Sequence, residues 1–331
     1  MSTTTTLYTP DGTVVINKIG HGLTSMTGTG DHPDERCFEA IKAGIDSLPA
    51  GVKMFLNAGI TANLEMLSRF FEKYPDYADR TFLSVKGGAK AGTLIIDGSD
   101  ENTTRSVNTI LEKLRGTKKV DLFQCARVDK SVPIEQTLGL LAKFVKEGKI
   151  GSIGMSEVRA ETLLKGHKVH PITAVEIEVS PWEYDPEAKE VISVAQRNNI
   201  AVIAYSPIGR GFLSGEIKSI EDLQDNDRRR IMPRFQNGNL EKNLAVFDKL
   251  VAIANEKGIK PAQLAIAWVS SLGPRVVPLP GSARTDRTLE NLGSNYVAFT
   301  PNELEKVTEV IDNAVVAGGR VPEAFVKYLW A

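Results

Sequence analysis

Two stretches of this chain combine residue types that could do chemistry. The first runs from Val277 to Asn291, VPLPGSARTDRTLEN. A short apolar run, Val276 to Leu279, reads as a buried strand, and Pro280-Gly281-Ser282 then breaks it and opens a helix with Arg284 and Arg287 near its start. Free backbone N–H groups and the positive end of the helix dipole favour phosphate there, and guanidinium groups add bidentate charge-assisted hydrogen bonds. Two arginines on a helix are also a common solvated face, so the surrounding order of elements must decide between the readings. The second stretch, Tyr205 to Asn239, is rich in Gly, Pro and Arg and reads as a functional loop over one mouth of a fold.

The elements that would position these residues alternate regularly. The turn at Pro10-Asp11-Gly12 suggests a small hairpin of Leu7 to Thr9 with Thr13 to Lys18. Strands follow at Ile19 to Leu23, Val52 to Asn57, Phe82 to Lys86, Lys119 to Gln124, Ile150 to Met155, Ala174 to Val179, Ala201 to Ala204 and Val276 to Leu279. Helices are expected at Asn63 to Lys73, Glu101 to Leu114, Ile134 to Glu147, Ala160 to Gly166, Asp185 to Asn198, Leu240 to Lys257 and Pro261 to Ser271. A further helix begins at the capping box Thr300-Pro301-Asn302-Glu303. Eight βα units without a linker or an internal repeat imply one (β/α)8 TIM barrel across residues 1–331, with an N-terminal hairpin and extra C-terminal helices. Chemistry would then sit at the carboxyl ends of the strands.

Composition narrows the class of function. The chain has 331 residues, 42% hydrophobic and 24% charged, with a formal net charge of -1, so nothing basic points to nucleic acid or an anionic membrane surface. The opening MSTTTTLYTPDG lacks the pattern of a secretory or transit peptide, and no apolar run is long enough to span a bilayer. A cytoplasmic monomer or weak homo-oligomer is expected. Cys37 and Cys125 are too few for a disulfide framework and read as reduced structural thiols. His167 and His170 have a metal-like spacing without a carboxylate or thiolate nearby, and no metal is expected. Gly20-His21-Gly22 lacks the third glycine of a dinucleotide fingerprint.

These elements carry motifs that together resemble the aldo-keto reductase family over essentially the whole chain. They are Lys18-Ile19-Gly20-His21-Gly22, Gly148 to Ser156 (GKIGSIGMS), Ala204 to Gly215 (AYSPIGRGFLSG), Pro233-Arg234-Phe235 and Pro280 to Asn291. Within that family, Ser84-Val85-Lys86-Gly87-Gly88 and Phe123 to Asp129 (FQCARVD) are similar to the fungal pyridoxal reductase branch. The resemblance implies an NADPH-dependent carbonyl reductase with the cofactor extended across the barrel mouth. By position it implies Arg284, Arg287 and Ser282 at the ribose 2'-phosphate and Glu290 with Asn291 at the adenine. Tyr205 would stack on the nicotinamide and Ser156 and Glu176 would hold its carboxamide. Ser206, Pro207, Gly209, Arg210 and Gly211 would wrap the pyrophosphate, with Gly22 at the first strand end beside the cofactor. His21, Ala126, Trp182 and Phe212 would bound the substrate, a pyridoxal-like aromatic aldehyde being the first choice. Read alone, Trp182 and Phe212 are equally packing aromatics and His21 equally a structural histidine, whereas the Ser-Pro-Ile-Gly-Arg-Gly after Tyr205 favours a functional reading of that residue.

Carbonyl reduction by hydride needs a proton donor for the nascent alkoxide. The resemblance implies a tyrosine after the second strand, a lysine ending the third and paired with an aspartate, and a histidine after the fourth. Lys86 fills the lysine position, Asn57 stands at the aspartate and Ala126 at the histidine. The tyrosine is absent: Leu56-Asn57-Ala58-Gly59 runs through Ile60-Thr61-Ala62-Asn63 straight into a helix, and no tyrosine occurs between Tyr8 and Tyr74. Three accounts fit. The natural chain lacks the loop and turns over weakly or not at all; the loop has been lost from this sequence alone; or Lys86 with a water, or Thr61, supplies the proton. Beside the reductase stand two alternatives, a non-catalytic NADPH-binding barrel acting through a protein partner and an unrelated barrel enzyme acting on a phosphorylated substrate.

Overall fold

A computed structural model describes residues 2–27, 32–59, 61–93, 95–236 and 238–331, and leaves the side chain of Thr61 undescribed. An antiparallel hairpin, β1 (Thr4–Thr9) and β2 (Gly12–Asn17), precedes eight parallel strands. These are β3 (His21–Gly22), β4 (Met54–Ala58), β5 (Thr81–Gly87), β6 (Leu122–Cys125), β7 (Ile153–Ser156), β8 (Ile172–Glu178), β9 (Ala201–Tyr205) and β10 (Val276–Leu279). Each pairs with its sequence neighbour. The ring closes where Gly20 N donates to Pro278 O and Gly22 N to Pro280 O, both at 2.9 Å, beside a Gly22–Gly281 bridge.

Strand residues are buried on both faces because helices cover the outside and side chains fill the inside. One apolar cluster plugs the lower barrel: Phe55, Phe82, Leu122, Ala174, Ile203 and Val277, sealed from below by Leu7 and Ile16 of the hairpin. Phe55 and Phe82 stack there at 5.8 Å. Side chains alternate along a strand, so the residues two and four positions beyond this plug also point inward. They are Asn57, Ser84 and Lys86, Gln124, Glu176 and Glu178, and Tyr205. The sequence alternation therefore builds a polar layer directly above an apolar one.

The expected helices are present, and two more stand before β4: a single turn at Thr24–Thr27, where none was expected to open, and a longer helix. Asp34–Asp46 joins β3 to β4 and packs Phe38, Ile41 and Ile45 inward, an element the periodicity reading left out. Asp185 caps the helix Pro186–Arg197 by accepting from Ala188 N at 2.7 Å, and Thr300 with Glu303 forms the expected capping box. The first barrel strand is shorter than read, reduced to His21–Gly22. The segment after β9 is not an extended loop but a series of short 3-10 turns between Gly209 and Phe235. Among the described residues, no helix is long and apolar enough to cross a membrane.

Candidate active site

The inward layer at the carboxyl end is a connected polar network. Lys86 Nζ donates to Asn57 Oδ1 at 3.0 Å and forms an ion pair with Glu176 Oε1. Glu176 Oε2 accepts from Asn57 Nδ2 at 2.7 Å and from Gln124 Nε2 at 2.8 Å, and Gln124 Nε2 also reaches Ser84 Oγ at 2.7 Å. The strand registers enforce this: Asn57 lies opposite Ser84, Lys86 opposite Gln124, and Ser156 opposite Glu176. Gly87 is held to glycine because a Cβ there would lie 2.5 Å from Ser106 Oγ and 2.6 Å from Phe123, so the chain turns tightly just past Lys86.

Glu176 carries the charge that balances Lys86. The family aspartate position is an amide, Asn57, and the position where relatives often carry an amide is a carboxylate, Glu176. Both oxygens of Glu176 are engaged by Lys86, Asn57 and Gln124. The carboxylate paired with Lys86 thus comes from β8, across the barrel from Asn57 on β4, a role the sequence reading did not give Glu176.

A second network lies beside it. Arg320, from the segment after the last long helix, reaches into the mouth; its Nη2 is 2.5 Å from Glu157 Oε1 and 2.8 Å from the Tyr205 hydroxyl, and its Nε is 2.8 Å from Glu178 Oε2. Arg210 Nη2 also binds Glu178 Oε2 at 2.8 Å. Burial pushes the Glu178 carboxyl up, but the two guanidinium groups outweigh it and hold the pKa at about 2. Burial, opposed by Arg320, raises the Tyr205 hydroxyl above the usual tyrosine range, so it is a poor stand-in for the absent acid. The C-terminal tail is tied down by Ala331 N to Glu157 O and Arg159 N to Ala331 O, both at 3.1 Å. Arg320 carried no local sequence signal, because its partners come from strands more than a hundred residues earlier.

Backbone strain collects at the same rim. Glu157, Ser206 and Arg210 have φ of 56°, 53° and 58°, a left-handed conformation that non-glycine residues rarely hold outside functional sites. Arg210 sits between Gly209 and Gly211, both also at positive φ, and Arg229 clamps the turn by donating to Arg210 O at 2.9 Å. Pro207 leads into this turn, whose Gly209 N donates to Ser206 O. Ser156, buried at the end of β7, accepts from Arg127 Nη1 at 3.4 Å, and Ala126 is half-buried beside it.

At the phosphate end, Arg284 is the N-cap residue of the helix Thr285–Gly293, extended and without a side-chain cap bond. Ser282 Oγ accepts from Arg284 N at 2.9 Å. The guanidinium of Arg284 meets Asp286 at 2.5 Å and that of Arg287 meets Glu216, and solvent screening keeps such pairs weak. Glu290 is bound to Lys260 at 2.5 Å, and Asn291 is buried on the inner helix face. An exposed pair of arginines at a helix start fits a nucleotide phosphate.

Two expected pocket residues lie elsewhere. His21 is 3% exposed, and its Nε2 is 2.9 Å from Ser282 O, so it bonds the closing seam beside Gly22 rather than facing substrate. Phe212 is fully buried; it stacks on Trp182 at 4.0 Å and abuts Phe235 and Phe247, and so backs the pocket without lining it. The connection after Gly59 is drawn tight: Asn63 Oδ1 accepts from Gly59 N, and its Nδ2 reaches Leu23 O at 2.9 Å and Thr27 Oγ1 at 2.6 Å. Ile60 and the Thr61 side chain lie outside the described residues. Tyr74 and Tyr77 cluster with Phe38 and Phe70, and Tyr77 binds Asp46 near the start of β5, remote from Lys86. His167 accepts from Ile172 N, a structural bond. Cys37 and Cys125 are free and buried; burial pushes the Cys125 thiol up to about 12.

The chain thus forms a closed barrel with a lysine–carboxylate pair in its mouth and two arginines at the start of the helix after its last strand. The chain belongs to the aldo/keto reductase family, whose model matches residues 18–312. It is 36% identical to probable pyridoxal reductase 2 of Schizosaccharomyces pombe, over 92% of this chain and 94% of that protein. It is 35% identical to the aldo-keto reductase yakc [NADP(+)] of the same organism, over 80% of this chain and 79% of that one. The structure of a glycerol dehydrogenase from Gluconobacter oxydans superposes with a TM-score of 0.81 at 22% identity, covering 98% of this chain and 99% of that chain, and shows the barrel fold. Membership makes the chain an oxidoreductase that uses a nicotinamide nucleotide on small carbonyl compounds.

Proposed function

We propose that this single barrel, acting as one unit in the cytoplasm, reduces an aldehyde or ketone with NADPH, a pyridoxal-like aromatic aldehyde being the best substrate. The observation that carries the reading is Lys86, an ammonium seated on Glu176 and Asn57 at the strand ends. NADPH, when bound, supplies the hydride. Arg284, Arg287 and Ser282 hold the 2'-phosphate, Glu290 and Asn291 border the adenine, the turn Ser206 to Gly211 borders the pyrophosphate, and Tyr205 carries the nicotinamide with Ser156 at its carboxamide. Lys86 stabilises negative charge developing on the carbonyl oxygen. With no tyrosine beside it, proton delivery falls to water held at Lys86, and turnover is slow.

The test is NADPH oxidation followed by absorbance with excess pyridoxal, against a control without carbonyl. Slow but substrate-dependent oxidation is expected. No oxidation alongside tight NADPH binding would favour instead the non-catalytic barrel acting through a partner. The Asn63 bonds that close the loop site and the Arg320 contact to Tyr205 give that second reading its support.

The exchanged carboxylate has its own consequence. Replacing one partner of a buried ion pair leaves the other uncompensated, so Glu176→Gln should lower unfolding free energy by about 3 kcal/mol. Adding Asn57→Asp returns a carboxylate to Lys86 from the other strand and should recover most of that loss in denaturant unfolding. Independent, additive effects of the two substitutions would refute the exchange.

A further inference from the structure

Beside the Lys86 network, Glu178, Trp182, Arg210, Met232, Arg234 and Arg320 line a cleft at the barrel mouth. Three guanidinium groups face it, each already holding a carboxylate: Arg210 and Arg320 hold Glu178, Arg320 also holds Glu157, and Arg234 holds Glu183 at 2.5 Å. Two donors remain without an acceptor among the described residues, Arg320 Nη1 and Trp182 Nε1. Both side chains are more than nine-tenths buried, at 7% and 6% exposure. Buried donors are nearly always satisfied, so a pair left open in one cleft marks a place for an acceptor.

Both donors are fixed in place. The Trp182 indole is stacked on Phe212, its carbonyl accepts from Arg234 Nη1 at 2.9 Å, and its amide donates to Ser180 Oγ. Arg320 is fixed through its other two nitrogens to Glu157, Glu178 and Tyr205. Nη2 of the same guanidinium is 2.8 Å from the Tyr205 hydroxyl, which ties the cleft to the proposed nicotinamide platform. We propose that Arg320 and Trp182 form a subsite for an acidic group, carboxylate or phosphate, carried by the carbonyl substrate. This deepens the reductase reading and rests on it. Both open groups are donors, so a group that only accepts, a carboxylate or phosphate, satisfies them, and a guanidinium hydrogen bond is stronger to a charged acceptor than to a neutral one. Among aromatic aldehydes the chain would then prefer those that carry a carboxylate or phosphate, a pyridoxal-like aldehyde bearing such a group included.

Calorimetric titration of the NADP+-loaded protein, which holds no hydride to transfer, with 4-carboxybenzaldehyde and with benzaldehyde tests this. The acid should bind at least tenfold more tightly. Trp182→Phe keeps the ring stack and removes only the N–H, and should cut the preference severalfold; Arg320→Met should abolish it. Because Arg320→Met frees two carboxylates and can unfold the mouth, Trp182→Phe carries the decision if that variant is unstable. Equal affinity for the two aldehydes overturns the subsite, as does a preference untouched by Trp182→Phe. Failure to bind NADPH counts against the reductase reading instead, and the same aldehyde titrations on nucleotide-free protein then decide the subsite by the same criteria.

Discussion

Rebuilding the connection after Gly59 with a tyrosine-bearing loop is expected to raise kcat for aldehyde reduction by about 10²- to 10⁴-fold, the usual contribution of a positioned general acid. Hydride addition puts negative charge on the carbonyl oxygen, and at present the groups near that oxygen supply charge but no good proton. Lys86 is committed to Asn57 and Glu176, and Tyr205 has its hydroxyl against Arg320 with its acidity suppressed by burial. The graft point is suitable because β4 is intact to Ala58 and the following helix, Thr61–Lys73, is anchored by Asn63 to Leu23 and Thr27. A matched loop with phenylalanine in place of the tyrosine isolates the hydroxyl from loop ordering. Single-turnover rates of the two loop variants that differ by less than tenfold would show that the missing acid is not what limits this chain.

Converting Arg284 and Arg287 together to alanine should weaken NADPH binding by about 10²- to 10³-fold and leave NADH nearly unchanged. Each charge-assisted hydrogen bond to a phosphate contributes about 1.5 to 3 kcal/mol, and the solvent-screened pairs with Asp286 and Glu216 take little from it. The difference is the selectivity, because NADH lacks the 2'-phosphate. The helix dipole at Thr285 persists in the variant, which is why some affinity for phosphate remains. Titration of both nucleotides by protein fluorescence measures the ratio. Equal losses for the two would place these arginines away from the 2'-phosphate.

Much of the architecture was legible before any coordinates. Strand and helix spans follow from runs of apolar residues with periods of 2 and 3.6, and caps such as Asp185 and Thr300 stand where local chemistry puts them. The helix Asp34–Asp46 escaped because its apolar residues Phe38, Ile41 and Ile45 are diluted by Glu35, Arg36, Glu39 and Lys42. The arginine pair after the last strand was legible for the same local reason: a broken strand, a helix start and two guanidinium groups lie within a dozen residues.

The site was legible in its members and less so in their partnerships. Lys86, Asn57, Glu176 and Tyr205 were all chosen from strand ends, yet Glu176 turned out to balance Lys86, His21 to bond the seam and Phe212 to sit behind Trp182. The sequence by itself determined the eightfold order of elements, the inward polar layer above an apolar plug, the arginine-bearing helix start and the absence of a tyrosine after Gly59. Only the tertiary structure decided which carboxylate serves which cation, and that Arg320 from the tail lies on Tyr205. The physical reason is range: periodicity and caps act within a few residues, whereas Asn57 meets Glu176 and Arg320 meets Glu157 through pairings set by barrel closure and register.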